Sequence, residues 1–254
     1  MNAFLHLEER QSRIGMFLSE IAAPNLMRLY RSCGLDFVII DCEHGYFSHA
    51  QVAALAAVAN GVGLTAIVRV PCISREHIQK VFDLGADGIL VPMTGTAEQI
   101  AQAVEYAKYY PLGKRGASTM RPHSEYNPGK LAEYMEKANG RTMVFAQIET
   151  DEGVRNARDI AAVPGVSGLF VGPNDLSIDY GRPGESSTPE MEHAYRAVVE
   201  AGKAVGKPTG IITGNMPLIR HCEALGMQLF SCNSEVGLLA KQIKSMIADF
   251  RAES

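Results

Sequence analysis

Glu149 closes the short apolar run Val144 to Ile148, and Asp175 stands just past a second run, Ser167 to Val171, after Gly172-Pro173. Both runs have the length and β-branched content of buried parallel strands. Asp151 to Ala162 between them is long enough for one crossover helix, so the segment reads as a βαβ unit whose strands point the same way. The two acids then share one mouth of the sheet, where neighbouring oxygen donors repel unless a cation, a proton or an arginine sits between them. Gln147 has the same parity as Glu149 along its strand, so both side chains leave on one side, while Ala146 and Ile148 point away.

Other strand ends add polar groups. In chain order they hold Asp41, Glu43 and His44, then Arg69, then Gln147 and Glu149, then Asn174 and Asp175. That set contains hard oxygen donors, one fixed positive charge and one imidazole able to exchange a proton near neutral pH. Each member also has a plainer reading. Two acids at strand ends can pair with arginines instead of a metal. Asp41 can cap the loop that follows it, Arg69 can pair with Asp41 or Glu43, and any one of the seven histidines is most often an ordinary His. Met93, Met120 and Met143 read as packing residues. Gly113 to Gly116 reads as a hinge or lid element, because no GxxxxGK(S/T) phosphate loop is present.

The elements that must position these residues alternate along the chain. Candidate strands are Ile14 to Leu18, Phe37 to Asp41, Thr65 to Val70, Gly88 to Val91, the two runs above, Thr209 to Thr213 and Gln228 to Cys232. Between them lie helices with recognisable punctuation: Ser48 to Asn60, Ser74 to Leu84 ahead of Gly85, Thr96 to Tyr109, Pro189 to Val205 and Pro217 to Leu225 ahead of Gly226. Pro24 to Cys33 and an amphipathic Leu238 to Phe250 complete the set. Strand followed by helix about eight times over 254 residues predicts one α/β TIM barrel spanning 1–254, favoured over a doubly wound open sheet, which has fewer units. In such barrels chemistry sits at the carboxyl ends of the strands, where these polar groups fall. The segment 110–142 is longer than an ordinary connection and carries Lys114, Arg115, Arg121 and Lys130, so a mouth loop or lid is expected there.

Composition narrows the function classes. A net charge of −4 and dispersed basic residues give no footing for nucleic acid. Apolar stretches of membrane-spanning length are missing, and Met1 to Gly15 lacks the apolar core of a signal peptide. Five scattered cysteines, an odd number without CxxC spacing, read as reduced thiols in a cytoplasmic protein.

Several motifs together resemble the HpcH/HpaI aldolase family: Asp41-Cys42-Glu43-His44-Gly45, Arg69 within VRV, DLGADGILVPM at Asp83 to Met93, GKRG at Gly113 to Gly116, QIET at Gln147 to Thr150 and GLFVGPNDLS at Gly168 to Ser177. They cover nearly the whole chain in order. The resemblance implies a class II pyruvate aldolase on a TIM barrel that cleaves 4-hydroxy-2-oxo acids to pyruvate and an aldehyde. It implies Glu149 and Asp175 as ligands of a divalent ion (Mg²⁺, Mn²⁺ or Co²⁺), Gln147 and Asn174 as substrate contacts, Arg69 as the transition-state arginine and His44 as the base. The family's carboxylate partner of that base matches Asp83. Asp83 ends a helix before the fourth strand and so belongs to the opposite rim, where only a neighbouring subunit would bring it to a site; Asp41 is the sequence-local alternative.

Two departures from the family pattern stand near the site. Asn174 replaces a usually small residue, and Cys232-Asn233-Ser234 replaces a glycine-rich segment, so metal binding is expected to survive while aldehyde specificity shifts. Retro-aldol cleavage leaves an enolate, and a hard cation with an arginine beside it would stabilise that charge. The family is also hexameric with exchanged carboxyl-terminal helices, here 235–254. Competing readings are an acyl-CoA lyase of related barrels and a barrel that binds a 2-oxo acid without turnover. A Schiff-base aldolase is disfavoured because no lysine closes a central strand.

Overall fold

The computed structural model describes residues 3–5, 7 and 11–252; the reading of Met1 to Gly15 falls partly outside them. Eight parallel strands close on themselves in sequence order: β1 (Arg13–Leu18), β2 (Phe37–Asp41), β3 (Thr65–Arg69), β4 (Gly88–Val91), β5 (Met143–Ile148), β6 (Gly168–Val171), β7 (Thr209–Ile212) and β8 (Leu229–Ser234), with β8 pairing back to β1. The barrel expected from the alternation is the architecture observed. Around it lie α1 (Leu26–Ser32), α2 (His49–Gly61), α3 (Arg75–Asp83), α4 (Ala97–Ala107), α5 (Leu131–Arg141), α6 (Asp151–Arg155), α7 (Ala157–Ala162), α8 (Pro173–Asp179), α9 (Pro189–Val205), α10 (Met216–Leu225) and α11 (Glu235–Ala252).

Strand parity divides the core in two. Inward-facing residues Phe37, Ile39, Ile67, Phe145, Phe170 and Leu229 belong to one cluster that fills the barrel. The alternate residues, such as Val38, Ile40, Val68, Val144, Ala146 and Val171, pack outward against the helices. Since both faces are covered, the strands need continuous apolar runs rather than alternating polarity. Following each inward column toward the carboxyl end, the apolar filling stops at a defined level. Ile39 is succeeded by Asp41, Ile67 by Arg69, Phe145 by Gln147 and then Glu149, and Phe17 by Ser19. The register sets Asp41 directly beside Arg69. The barrel thus has an apolar floor and a polar mouth, in one step of the side-chain period.

The helix starts follow their sequence signals. Ser48 and Thr96 complete capping boxes with Gln51 and Gln99, and Ser74, Thr150, Thr188 and Asn215 each accept a backbone N–H of the first turn. Three elements differ from the sequence reading. The single helix expected over Asp151 to Ala162 is broken at Asn156, whose side-chain amide donates to the Gly95 carbonyl at 2.8 Å. A short helix not expected from the sequence, α8, starts at Pro173 and holds Asp175 in its first turn. The last helix begins at Glu235, three residues before the expected start.

The long excursion also needs correcting. It follows α4 and precedes β5, so it is a helix-to-strand connection and lies at the amino-terminal rim of its own barrel, not over the mouth. Arg115 pairs with Asp83 at the foot of α3 at 2.7 Å, the Lys108 ammonium donates to the Asn139 carbonyl at 2.7 Å, and Arg141 donates to the His123 carbonyl. Among the described residues all five cysteines are free thiols, and none of the helices is long and apolar enough to cross a membrane.

Candidate active site

The mouth holds a cavity of about 380 Å³. Asp41, His44, Arg69, Gln147, Glu149, Asn174 and Asp175 all line it, so seven of the eight residues singled out from sequence meet in one place. Asp83 does not. It is held at the opposite rim by Arg115, with His123 at 3.6 Å, because the end of α3 leads into the amino end of β4.

Arg69 is buried and held on two sides. Its Nε and Nη2 donate to the two oxygens of Asp41 at 2.9 and 2.7 Å, its Nη1 lies 3.0 Å from Glu43 Oε2, and its guanidinium carbon sits 4.8 Å from the centre of the Phe17 ring. The bidentate fork fixes the plane of the guanidinium. Asp41 is therefore an arginine partner. Its Oδ1 also accepts the backbone N–H groups of Glu43 and His44, so it caps its own loop and meets His44 through the main chain. His44 itself is exposed at the lip of the cavity.

Two strands along, past the end of β5, Glu149 is buried with both oxygens engaged. Oε1 accepts from Gln147 Nε2 at 2.7 Å, and Oε2 accepts the backbone N–H of Met93 at 2.8 Å. Met93 donates from a left-handed backbone conformation, φ 49°, uncommon for a residue with a side chain. Burial holds the Glu149 carboxyl well above the usual carboxylate range, and the charges of Asp175 and Glu43 push the same way, against the Met93 bond and the Arg69 charge. Glu43 is raised as well, chiefly by burial.

This arrangement fits a divalent cation. Gln147 must give its N–H to the carboxylate, which leaves its Oε1 buried without a protein partner. Two carboxylates and an orphaned amide oxygen are hard donors, and a cation there would offset the burial and the like charge that raise Glu149. Among the described residues no cluster of three or more His, Cys, Asp or Glu forms, so the protein ligands would be Glu149 and Asp175 and most positions would stay open to solvent or substrate.

The family model for the HpcH/HpaI aldolase/citrate lyase family matches residues 13–240. The chain belongs to that family. A hydroxypyruvate/pyruvate aldolase of Deinococcus radiodurans is 34% identical over 263 residues, spanning 100% of this chain and 91% of the relative. A 4-hydroxy-2-oxo-heptane-1,7-dioate aldolase of Shigella boydii is 30% identical, covering 98% and 94%. The crystal structure of an HpcH/HpaI aldolase from Desulfitobacterium hafniense superposes with a TM-score of 0.90 at 30% identity, covering 95% of this chain and 93% of that one.

Within this HpcH/HpaI barrel, part of the wall was not apparent from the sequence. Phe17, Ser19, Ile212 and Ser234 complete the cavity on the β1, β7 and β8 side. Ser19 was discoverable, since it continues the inward column of Phe17, but a lone serine after an apolar run carries no chemical signal. Met93 was assigned to packing; its contribution is a backbone amide, which no side-chain pattern reports.

Gly172, between β6 and α8, shows how tightly the pair is packed. A Cβ there would overlap Glu149 Oε1 and lie 2.8 Å from Glu149 Cγ and 3.0 Å from Gln147 Nε2. Its φ of −100° tolerates any residue, so alanine would act on the carboxylate and not on the backbone. Gly172→Ala is expected to cut cleavage by on the order of 100-fold through misplacement of Glu149, with little change in the thermal unfolding midpoint; steady-state rates near wild type would show that the carboxylate can move aside freely.

Proposed function

We propose that this aldolase, a carbon–carbon lyase, works as a class II enzyme that cleaves a 4-hydroxy-2-oxo acid to pyruvate and an aldehyde, with a divalent ion held by Glu149 and Asp175. The observation that carries the reading is the convergence in one cavity of two carboxylates, the orphaned Gln147 oxygen, Arg69 and His44. When bound, a Mg²⁺, Mn²⁺ or Co²⁺ ion supplies Lewis-acid stabilisation to the oxygen on which negative charge develops.

The chain's own residues do the rest. Gln147 and Asn174 contact the 2-oxo acid and set its plane. His44 takes the proton from the C4 hydroxyl as the C3–C4 bond breaks; the bond's electron pair passes into the pyruvate enolate, the former C4 leaves as the aldehyde carbon, and C3 is then protonated. Arg69 offers its fixed charge to the enolate oxygen. Since Nη1 already faces Glu43, that hydrogen bond must be shared or exchanged when substrate enters. Asp83 is proposed to orient His44 only from a second copy of the chain, given its place at the far rim. Asn174, exposed at the mouth, is the residue where a departure from the family pattern bears on aldehyde choice.

An acyl-CoA lyase would need a basic platform beside this mouth. Lys114, Arg115 and Arg121 instead belong to the excursion at the opposite rim, and Arg115 is committed to Asp83. Among the described residues no lysine lines the cavity, which disfavours an iminium route.

The protein is further proposed to be a homo-oligomer, hexameric as the family resemblance implies, with the carboxyl-terminal helix exchanged between subunits. Helix α11 supports this, because Val236, Leu238, Leu239, Ile243, Met246 and Ile247 are all exposed and Glu235 is its only buried residue.

Three measurements test these statements. Chelation with EDTA is expected to abolish pyruvate release from a panel of 4-hydroxy-2-oxo acids, and Mg²⁺, Mn²⁺ or Co²⁺ to restore it; full activity after chelation, with inactivation by borohydride in the presence of pyruvate, would replace the metal route by a Schiff base. Arg69→Lys keeps a positive charge against the buried Asp41 but loses the fork, so turnover should drop about 10²–10³-fold with metal affinity little altered; an unaltered rate would remove Arg69 from the mechanism. Sedimentation velocity should show one species larger than a monomer, and a monomer at micromolar concentration would exclude the exchanged helix.

A further inference from the structure

Glu235 is the first residue of α11 and its side chain is 4% exposed, yet it does not line the cavity. Its Oε1 accepts three consecutive backbone N–H groups, from Ser19 at 2.8 Å, Glu20 at 2.6 Å and Ile21 at 3.1 Å, and its Oε2 lies 3.5 Å from the Ser19 hydroxyl. A carboxylate buried against three main-chain donors is a strong and directional clamp. What it clamps is the loop between β1 and α1, and Ser19 in that loop belongs to the cavity wall.

The clamped loop in turn abuts the loop that carries His44. The Ser19 carbonyl lies 2.9 Å from where a Cβ on Gly45 would sit, and the Tyr46 hydroxyl donates to the Glu20 carbonyl at 3.3 Å. In the closed strand order β1 stands four strands from β5, so this side of the mouth faces the Glu149 side across the barrel. Ser19 and Ser234 line the cavity on that side.

We infer that Glu235 is a positioning residue for the aldehyde half of the reaction: its carboxylate holds Ser19 to Ile21, and through them sets the Ser19 wall of the cavity and the loop bearing His44. The inference rests on the aldolase reading and extends it to a residue outside the cavity. It separates two partial reactions. Exchange of the pyruvate methyl protons with solvent, in which water takes the proton from C3 and returns another, needs Glu149, Asp175 and Arg69, whereas cleavage also needs His44 and the aldehyde side.

The quantity to read is the ratio of cleavage to exchange, with cleavage followed by pyruvate release and exchange by proton NMR in D₂O on the same Mg²⁺-loaded protein. Glu235→Ala is expected to lower that ratio by about tenfold or more through loss of registration. Glu235→Gln retains an oxygen acceptor for the three N–H groups and is expected to recover most of it. Ser19→Ala, which keeps the three backbone bonds to Glu235, should lower the ratio as well, and if Glu235→Ala does not fold the comparison of Glu235→Gln with Glu235→Asp, whose shorter side chain should lower the ratio, takes its place. A ratio equal to wild type in Glu235→Ala or in Ser19→Ala, or a Glu235→Gln protein as impaired as the alanine variant, would overturn the inference and leave the aldolase reading standing. Absence of both exchange and cleavage in the wild-type protein would remove that reading and this inference with it.

Discussion

Burying Glu149 within reach of Asp175 and Glu43 is electrostatically unfavourable, and much of the mouth is organised around holding it there. Four acids, Asp41, Glu43, Glu149 and Asp175, crowd one end of the barrel with Arg69 as the buried cation among them. Desolvation and like charge both favour a proton or a cation at such a carboxylate, while its two hydrogen-bond donors fix where its oxygens point. The cost of the arrangement is borne by a closed eight-stranded scaffold with a filled interior.

Arg69 shows the complementary tactic. Two of its donors are held by Asp41, and the aromatic face of Phe17 covers the guanidinium, so the plane of its charge is fixed by the fold. Asp41 also ties down its own loop, which links the orientation of the arginine to the placement of the following turn. A single buried carboxylate thus serves strand β3 and the β2 loop together.

Legibility in the sequence followed the reach of local rules. The βαβ unit around Glu149 and Asp175, the capped helices and the parity of Gln147 with Glu149 are all nearest-neighbour statements, and the barrel followed from repeating them. Segments without such a rule misled. The excursion carried basic residues and turn signals but no indication of which rim it occupied; only its place after a helix, once α4 was known to end at Ala107, assigns it to the far side. Glu235 was invisible for another reason. Its partners are the backbone amides of residues more than two hundred positions earlier, and main-chain donors leave no mark in residue types.

The amide of Met93 carries that last point further. Because the group that steadies Glu149 Oε2 is part of the main chain, no exchange of side chain at position 93 except to proline deletes it, and the thioether, about half exposed, is not needed to make the bond. Drift at this site is constrained by curvature and not by chemistry: residues at ease with a left-handed turn, glycine or asparagine above all, would hold the carboxylate as well as methionine does, whereas β-branched residues would pull the turn open. A position next to the reaction centre can in this way vary in identity across descendants of the same barrel while its contribution to the site stays the same.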